Sequence, residues 1–157
     1  MRITLAIFLL VLATLACAAD RGDEVVVTKT GDPEMDAARS KALNSLDSFL
    51  QIARSKPAGT SGYKLKVQVK DGEYTEHFWV IPFWEVDGKF QGPISNEPKY
   101  VHTVKYGQLI TFTRNDVSDW GYVRDGRQVG SFTVCAMFKR MTKEQVEYYR
   151  KNYGFDC

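Results

Sequence analysis

Histidine is scarce in this chain, with two in 157 residues, and the three cysteines include no Cys-x-x-Cys pair. Neither residue therefore offers the spacing of a metal centre or of a thioredoxin-like redox motif. The sequence has no Gly-x-x-x-x-Gly-Lys-Ser/Thr phosphate loop and no Gly-x-Ser-x-Gly turn. No block of five or six like charges exists, and the basic residues are dispersed, so no footprint for nucleic acid is present. Nor is there an apolar run near the roughly 20 residues that span a bilayer; the longest, Ile3 to Leu15, is shorter. What remains is a chain of formal charge +2 that is 13% aromatic, enough to build a core and too much for a disordered segment.

The apolar run has the setting of an export signal. Arg2 precedes it, and Ala16-Cys17-Ala18-Ala19 follows it with small residues before Asp20. That order predicts a signal peptide over residues 1–19, cleaved after Ala18 or Ala19, and a periplasmic or secreted protein. Cys17 raises the alternative of a lipid anchor. A lipoprotein signal wants leucine three positions before the cysteine, whereas Leu15 stands two before, so a soluble exported protein is the expectation. Residues 20–31 read as a flexible arm, and 32–157 as a single domain. In an oxidising compartment Cys135 and Cys157 are expected to pair as a disulfide. Two free thiols, or a reactive Cys157, are the alternatives.

Along the domain, Asp32 is suited to cap a helix that opens with Pro33 and carries Glu34 and Asp36 in its first turn. Met35, Ala38, Ala42, Leu46, Phe49, Leu50 and Ala53 continue one apolar face, which predicts a single N-terminal helix ending near Ser55. From Tyr63 the period changes to two, with lysines at alternate positions. Asp71-Gly72, Asp87-Gly88 and Asp125-Gly126 are hairpin turns. They join strands at 63–69, 75–81, 83–86, 89–92, 117–123 and a long final strand at 129–138, with a further strand at 109–113 after an irregular stretch at 92–107. Pro82 marks a bulge or an edge. Thr142 and Gln145 form a capping box for a C-terminal helix that Gly154 stops. The expected fold is α+β: an N-terminal helix, a curved antiparallel sheet of about six strands, and a C-terminal helix. Closure into a partial barrel is left open.

Chemistry-bearing residues are few. On the second strand Glu76 and Phe78 share one face, His77 and Trp79 the other. His77 or His102 acting with Asp119 is the one enzymatic arrangement available. Against it, Asn115-Asp116 is a turn signal, and Asp119, on the strand that follows, is suited to accept hydrogen bonds from a neighbouring turn's backbone. Trp79, Trp84, Trp120 and Tyr122 could line a groove or fill the core. Arg114, Arg124 and Arg127 lie near strand ends, where they could receive an anion or form a solvated rim.

Several of these residues fall into an ordered set of motifs: Glu76-His77-Phe78-Trp79-Val80, Gly92-Pro93-Ile94-Ser95-Asn96-Glu97-Pro98, Gly107-Gln108-Leu109-Ile110, and Asp119-Trp120-Gly121-Tyr122 with Gly130-Ser131-Phe132-Thr133. Their order and spacing over residues 73–138 resemble the YegJ-like bacterial family, domain of unknown function 2314. The resemblance implies a small bacterial protein and brings no activity, cofactor, metal or catalytic residue with it. It marks Trp79, Asn96, Pro98, Asp119 and Trp120 as signature positions and leaves the first helix, the cysteine pair and the last helix at or beyond its edges. With Arg114, those five are the candidate partner or ligand surface. The expected function is non-enzymatic binding of a protein partner, in the manner of an inhibitor or immunity protein. A small enzyme and a structural or envelope-stress protein are the rivals.

Mass spectrometry of the protein recovered from its producing bacterium tests the processing. The expected species begins at Ala19 or Asp20, carries no lipid, and is two hydrogen atoms lighter than the reduced chain. A mature protein beginning at an acylated Cys17 would overturn the soluble-export expectation.

Overall fold

The computed structural model describes residues 32–157; the expected signal segment and arm lie outside the described residues. Helix α1 (Pro33–Asn44) begins where the capping residues place it, the Asp32 carboxylate accepting from the N–H groups of Glu34 and Met35 at 3.1 and 3.2 Å. The single helix expected here is two. Ser45 interrupts it at φ −110°, ψ 5°, and α2 (Leu46–Ser55) follows. The Ser45 hydroxyl donates back to the carbonyls of Lys41 (2.7 Å) and Ala42 (3.2 Å), a local bond that competes with helix continuation. The apolar face survives the break: Met35 and Ala42 on α1, and Leu46, Phe49 and Leu50 on α2, are all buried.

Seven antiparallel strands, close to the expected number, form two sheets joined into one curled assembly. The first contains β1 (Thr60–Asp71), β2 (Tyr74–Val80), β6 (Val117–Arg124) and β7 (Arg127–Gly130), in the order β2-β1-β6-β7. The second contains β3 (Trp84–Val86), β4 (Lys89–Pro93) and β5 (Leu109–Phe112), in the order β3-β4-β5. A bridge between Val80 and Ile94 joins them, and the assembly curls into a half-barrel around Phe49, Leu65, Val67, Phe78, Val80 and Tyr122. Asp87-Gly88 and Asp125-Gly126 form the loops of two hairpins, and in the hairpin of β1 and β2 Asp71 pairs with Tyr74 across a Gly72-Glu73 loop. The Ile81–Pro82 bond is cis, between β2 and β3.

The long final strand is corrected. β7 stops at Gly130 (φ 80°), Ser131 adopts left-handed backbone (φ 51°), and Phe132–Phe138 is a helix, α3. Phe132, Thr133 and Val134 suit a strand locally, but a carboxylate from β6 claims the amides of Phe132 and Thr133 and starts a helix there. The last helix, α4 (Lys143–Tyr153), has its capping box at Thr142 and Gln145 and ends on Gly154 at φ 73°. Cys135 and Cys157 are bridged, with Cα atoms 5.5 Å apart, so the bond ties the C-terminus to a helix and not to a strand. Around it Val134, Phe138 and Phe155 form a second small core against Val146, Tyr149 and Trp79.

Replacing both Cys135 and Cys157 by serine is expected to lower unfolding free energy by about 3 kcal/mol, the chain-entropy value for a loop of this length. Urea denaturation measures it. Far-ultraviolet circular dichroism should be nearly unchanged, because Phe138, Tyr149 and Phe155 still pack. A double variant of unaltered stability would contradict the assignment.

Candidate functional site

The outer face of the four-stranded sheet gathers most of the polar chemistry. Lys64 and Lys66 come from β1 and His77 and Trp79 from β2. Ser118 and Asp119 come from β6, where a register shift sets Lys66 opposite Asp119 but Val67 opposite Val117. Ser118 is the extra residue of this bulge, so Ser118 and Asp119 both serve the outer face while Val117 and Trp120 stay in the core.

Asp119 is fully buried. Its Oδ1 accepts from the N–H of Trp120 (2.8 Å) and Phe132 (3.2 Å), and its Oδ2 from the N–H (2.8 Å) and hydroxyl (2.6 Å) of Thr133. Burial pushes this carboxyl above its ordinary pKa, against the Thr133 bonds and the Lys66 charge, which favour the anion. Lys66 Nζ also donates to Thr133 Oγ1 at 3.2 Å. The ammonium groups of Lys64 and Lys66 stand 4.6 and 5.3 Å from the Trp79 ring centre. Burial lowers Lys64 to about 8, resisted by Asp119.

His77 Nδ1 lies 2.8 Å from Ser118 Oγ. The Ser118 hydroxyl can give its one proton to the Lys66 carbonyl at 3.3 Å, which leaves its oxygen to accept from Nδ1–H. Burial, then the charges of Lys66 and Arg39, hold His77 at about 4, so the ring is neutral near pH 7. His102 sits apart, its backbone N–H bonded to Asp71 Oδ2 at 2.8 Å. Among the described residues neither imidazole hydrogen-bonds to Asp119. Its four accepted bonds make that carboxylate an anchor for the start of α3.

A second buried carboxylate, not singled out from sequence, organises the irregular loop. Glu76 accepts from the N–H groups of Lys99, Tyr100 and Val101 at 2.9 Å each, with a second oxygen 3.1 Å from Lys99. Asn96 Oδ1 accepts from Trp79 N–H at 2.7 Å. The residues at 94–102, Pro98 included, are thus laid along β2. The signals in the sequence were an acidic residue on the apolar face of β2, shared with Phe78, and its place at the head of a motif.

The other candidates separate. Trp120 and Tyr122 are core residues, with Phe49 stacked on Trp120 at 4.8 Å and Trp120 Nε1 donating to the Ala42 carbonyl at 2.9 Å. Trp84 is 41% exposed, on the other sheet. Arg114 pairs with Asp47 at 2.7 Å, Arg127 pairs with Asp156, and Arg124 lies over the Tyr122 ring, so the three arginines do not converge.

A cleft of about 390 Å³ opens between α2 and the segment from Ile81 to Phe90. Leu50 and Ala53 form one wall, Tyr63 the floor, and Pro82, Phe83 and Trp84 the other wall. Gly92 lets that wall approach: a Cβ there would overlap the Pro82 carbonyl and lie 3.3 Å from Phe83 Cα. At the mouth are Arg54, Lys56 and Glu85, with Arg54 bonded to Glu85 at 2.6 Å. An apolar cleft with a few polar groups at its rim can hold an apolar side chain or a small apolar molecule. Among the described residues no cluster of three metal-ligating side chains occurs, and no helix is long and apolar enough to cross a membrane.

The family model described as an uncharacterised protein conserved in bacteria (DUF2314) matches residues 32–157. That span takes in the first helices, the cysteine pair and α4, which the motif resemblance had left at its margin. Uncharacterized protein YegJ of Escherichia coli (strain K12) is 31% identical over 137 residues, covering 87% of this chain and 88% of that protein. Putative ankyrin repeat protein NMB1133/NMB1171 of Neisseria meningitidis serogroup B (strain ATCC BAA-335 / MC58) is 34% identical over 88 residues, covering 55% of this chain but 34% of that longer protein. No solved structure matches.

His77 makes stability depend on pH. Its pKa of about 4 in the folded protein lies below the ordinary 6.5, so the unfolded chain takes the proton first as pH falls. The contribution is complete above pH 6.5 and is lost progressively toward pH 4, about 3 kcal/mol in all. In His77→Gln the fall in unfolding free energy between pH 6.5 and 5 should flatten. Urea denaturation series giving parallel pH profiles for both proteins would refute it.

Proposed function

The chain belongs to the DUF2314 family, and we propose that it is an exported, non-enzymatic binding protein that receives a protein partner in the cleft between α2 and β3. The cleft is the observation that carries this reading. It is walled by apolar and aromatic groups, and Ile81, Trp84 and Val86 beside it are 37, 41 and 37% exposed. Exposed aromatic and branched apolar side chains around a concave site are the composition of an anchor pocket.

The polar cluster on the opposite sheet face supports the non-enzymatic side of the reading. Asp119 and Glu76 hold backbone amides, and His77 is neutral and bonded to Ser118. Export is supported by the signal-like residues 1–19 and by the Cys135–Cys157 bridge, which suits an oxidising compartment. A matching segment forming about a third of a longer protein named for ankyrin repeats supports a domain that works as a module beside others. An inhibitor or immunity-like role is the specific form of this function, with the cleft gripping another bacterial protein.

Ala53→Trp fills the cleft from the helix side and Trp84→Ala removes the opposite wall. Capture from periplasmic extract is expected to retain a discrete protein on the parent chain and to lose it with both variants, while Glu73→Ala behaves as the parent. The reading is wrong if parent and variants, all folded by circular dichroism, retain the same proteins.

A further inference from the structure

We propose that the segment bound at the cleft is an extended peptide that adds as a strand to the free edge of β3, drops one apolar side chain between Ala53 and Trp84, and sets an acidic side chain against Lys56. This rests on the binding function above and names its partner's chemistry.

The edges of the two sheets are not treated alike. β2 is covered: Ser95 N–H donates to the Trp79 carbonyl at 2.8 Å, and Asn96 takes the Trp79 N–H. β7 is covered at Gln128, whose N–H donates to the Gly154 carbonyl at 2.9 Å. β3 and β5 have no such cover among the described residues, but all three residues of β3 are exposed whereas Phe112 of β5 is buried, and of the two only β3 borders the cleft. An uncovered edge is a template for another strand.

The hairpin decides which groups that edge offers. Asp87-Gly88 is a two-residue turn, so Val86 and Lys89 are the hydrogen-bonded pair flanking it. Pairs alternate along an antiparallel ladder, so the N–H and C=O of Glu85 point away from β4. Phe83, two residues back, has the same phase. Phe83 and Glu85 also line the cleft. A strand bonded to them therefore runs along the cleft mouth, with alternate side chains directed toward its opening. This favours an extended chain over a helix or a free small molecule, neither of which uses those backbone groups.

Charge selects further. Glu85 answers Arg54, while Lys56, at the left-handed end of α2 (φ 44°), adds a cation to the same rim. The rim is left with one positive charge in excess, which an acidic side chain of the incoming strand matches.

The test uses the full mature chain and a displayed library of random dodecamer peptides. Enriched peptides are expected to alternate apolar and polar residues and to contain an acid. Their affinity, measured by fluorescence anisotropy, should fall at least tenfold with Ala53→Trp, with Lys56→Glu, and when alternate peptide amides are N-methylated. Glu85→Pro should weaken binding equally and well beyond Glu85→Ala, which loses the same pairing with Arg54, because only the proline removes an outward N–H, and it breaks no bond to β4. Exchanging the peptide's acid for lysine should restore binding to Lys56→Glu. Loss with Ala53→Trp but not with N-methylation or Glu85→Pro overturns strand addition and leaves cleft binding standing. Indifference to all of these, or no enrichment, overturns both. A dimer of the chain in sedimentation that Glu85→Pro dissolves would overturn the peptide partner in favour of a second copy.

Discussion

A buried carboxylate on β6 governs how the second half of the chain folds. Asp119 reaches the outer face because a bulge interrupts β6 at Ser118. There it takes the first two amides of α3 together with the Thr133 hydroxyl. An ionised carboxylate loses several kcal/mol of hydration when buried, and removal of its partners would leave that loss uncompensated. Four accepted bonds and two nearby ammonium groups compensate it here. The same bonds force the chain from strand to helix at Ser131, and the helix carries Cys135 to Cys157. The C-terminal helix and the second small core depend on that placement. Gly121 and Gly130 make the approach feasible: a Cβ at Gly121 would overlap Ser131 Oγ and lie 2.9 Å from Lys64 Cε, and Gly130 sits at φ 80° against Trp120.

Glu76 repeats the device on β2. It pins three consecutive amides of the irregular loop, and Asn96 closes the adjoining edge. Charged side chains bonded to backbone N–H groups are stronger than neutral pairs, and a loop of this length has few other means of order. Glu76 and Asp119, the two buried acids of the motif segments, thus serve backbone geometry. The apolar cleft, by contrast, is built from residues outside those motifs, Leu50 and Ala53 on one wall and Pro82, Phe83 and Trp84 on the other.

Local hydrogen bonding was legible residue by residue. The Asp32 cap, the Thr142–Gln145 box, the three Asp-Gly turns and the alternation of β1 all involve partners within four residues or a period of two. Each stands close to where the sequence puts it. Ser45 was misread because its apolar neighbours keep helical spacing across the break, while its hydroxyl acts on the carbonyls behind it. Asp119 was legible as a hydrogen-bond acceptor, but not as the cap of a helix whose amides lie 13 and 14 residues away. Trp120 and Asn96 were legible as signature positions; the burial of Trp120 and the backbone bonds that both side chains make give them roles in the fold.

The sequence by itself determined the α+β class and the antiparallel hairpins, because these follow from periodicity and turn chemistry; the family rested on its ordered motifs, and the capacity of Cys135 and Cys157 to pair on an oxidising setting. Only the tertiary structure decided that residues 132–138 are helix, that the strands divide into two sheets, and that His77 meets Ser118 rather than a carboxylate. It also decided that a cleft exists at all. Its walls come from residues about thirty positions apart, brought together by the burial of Phe49 and Leu50 beneath the curled sheet. Burial of apolar surface is not directional and leaves no spacing in the chain to read, so such a site becomes visible only once the core has closed.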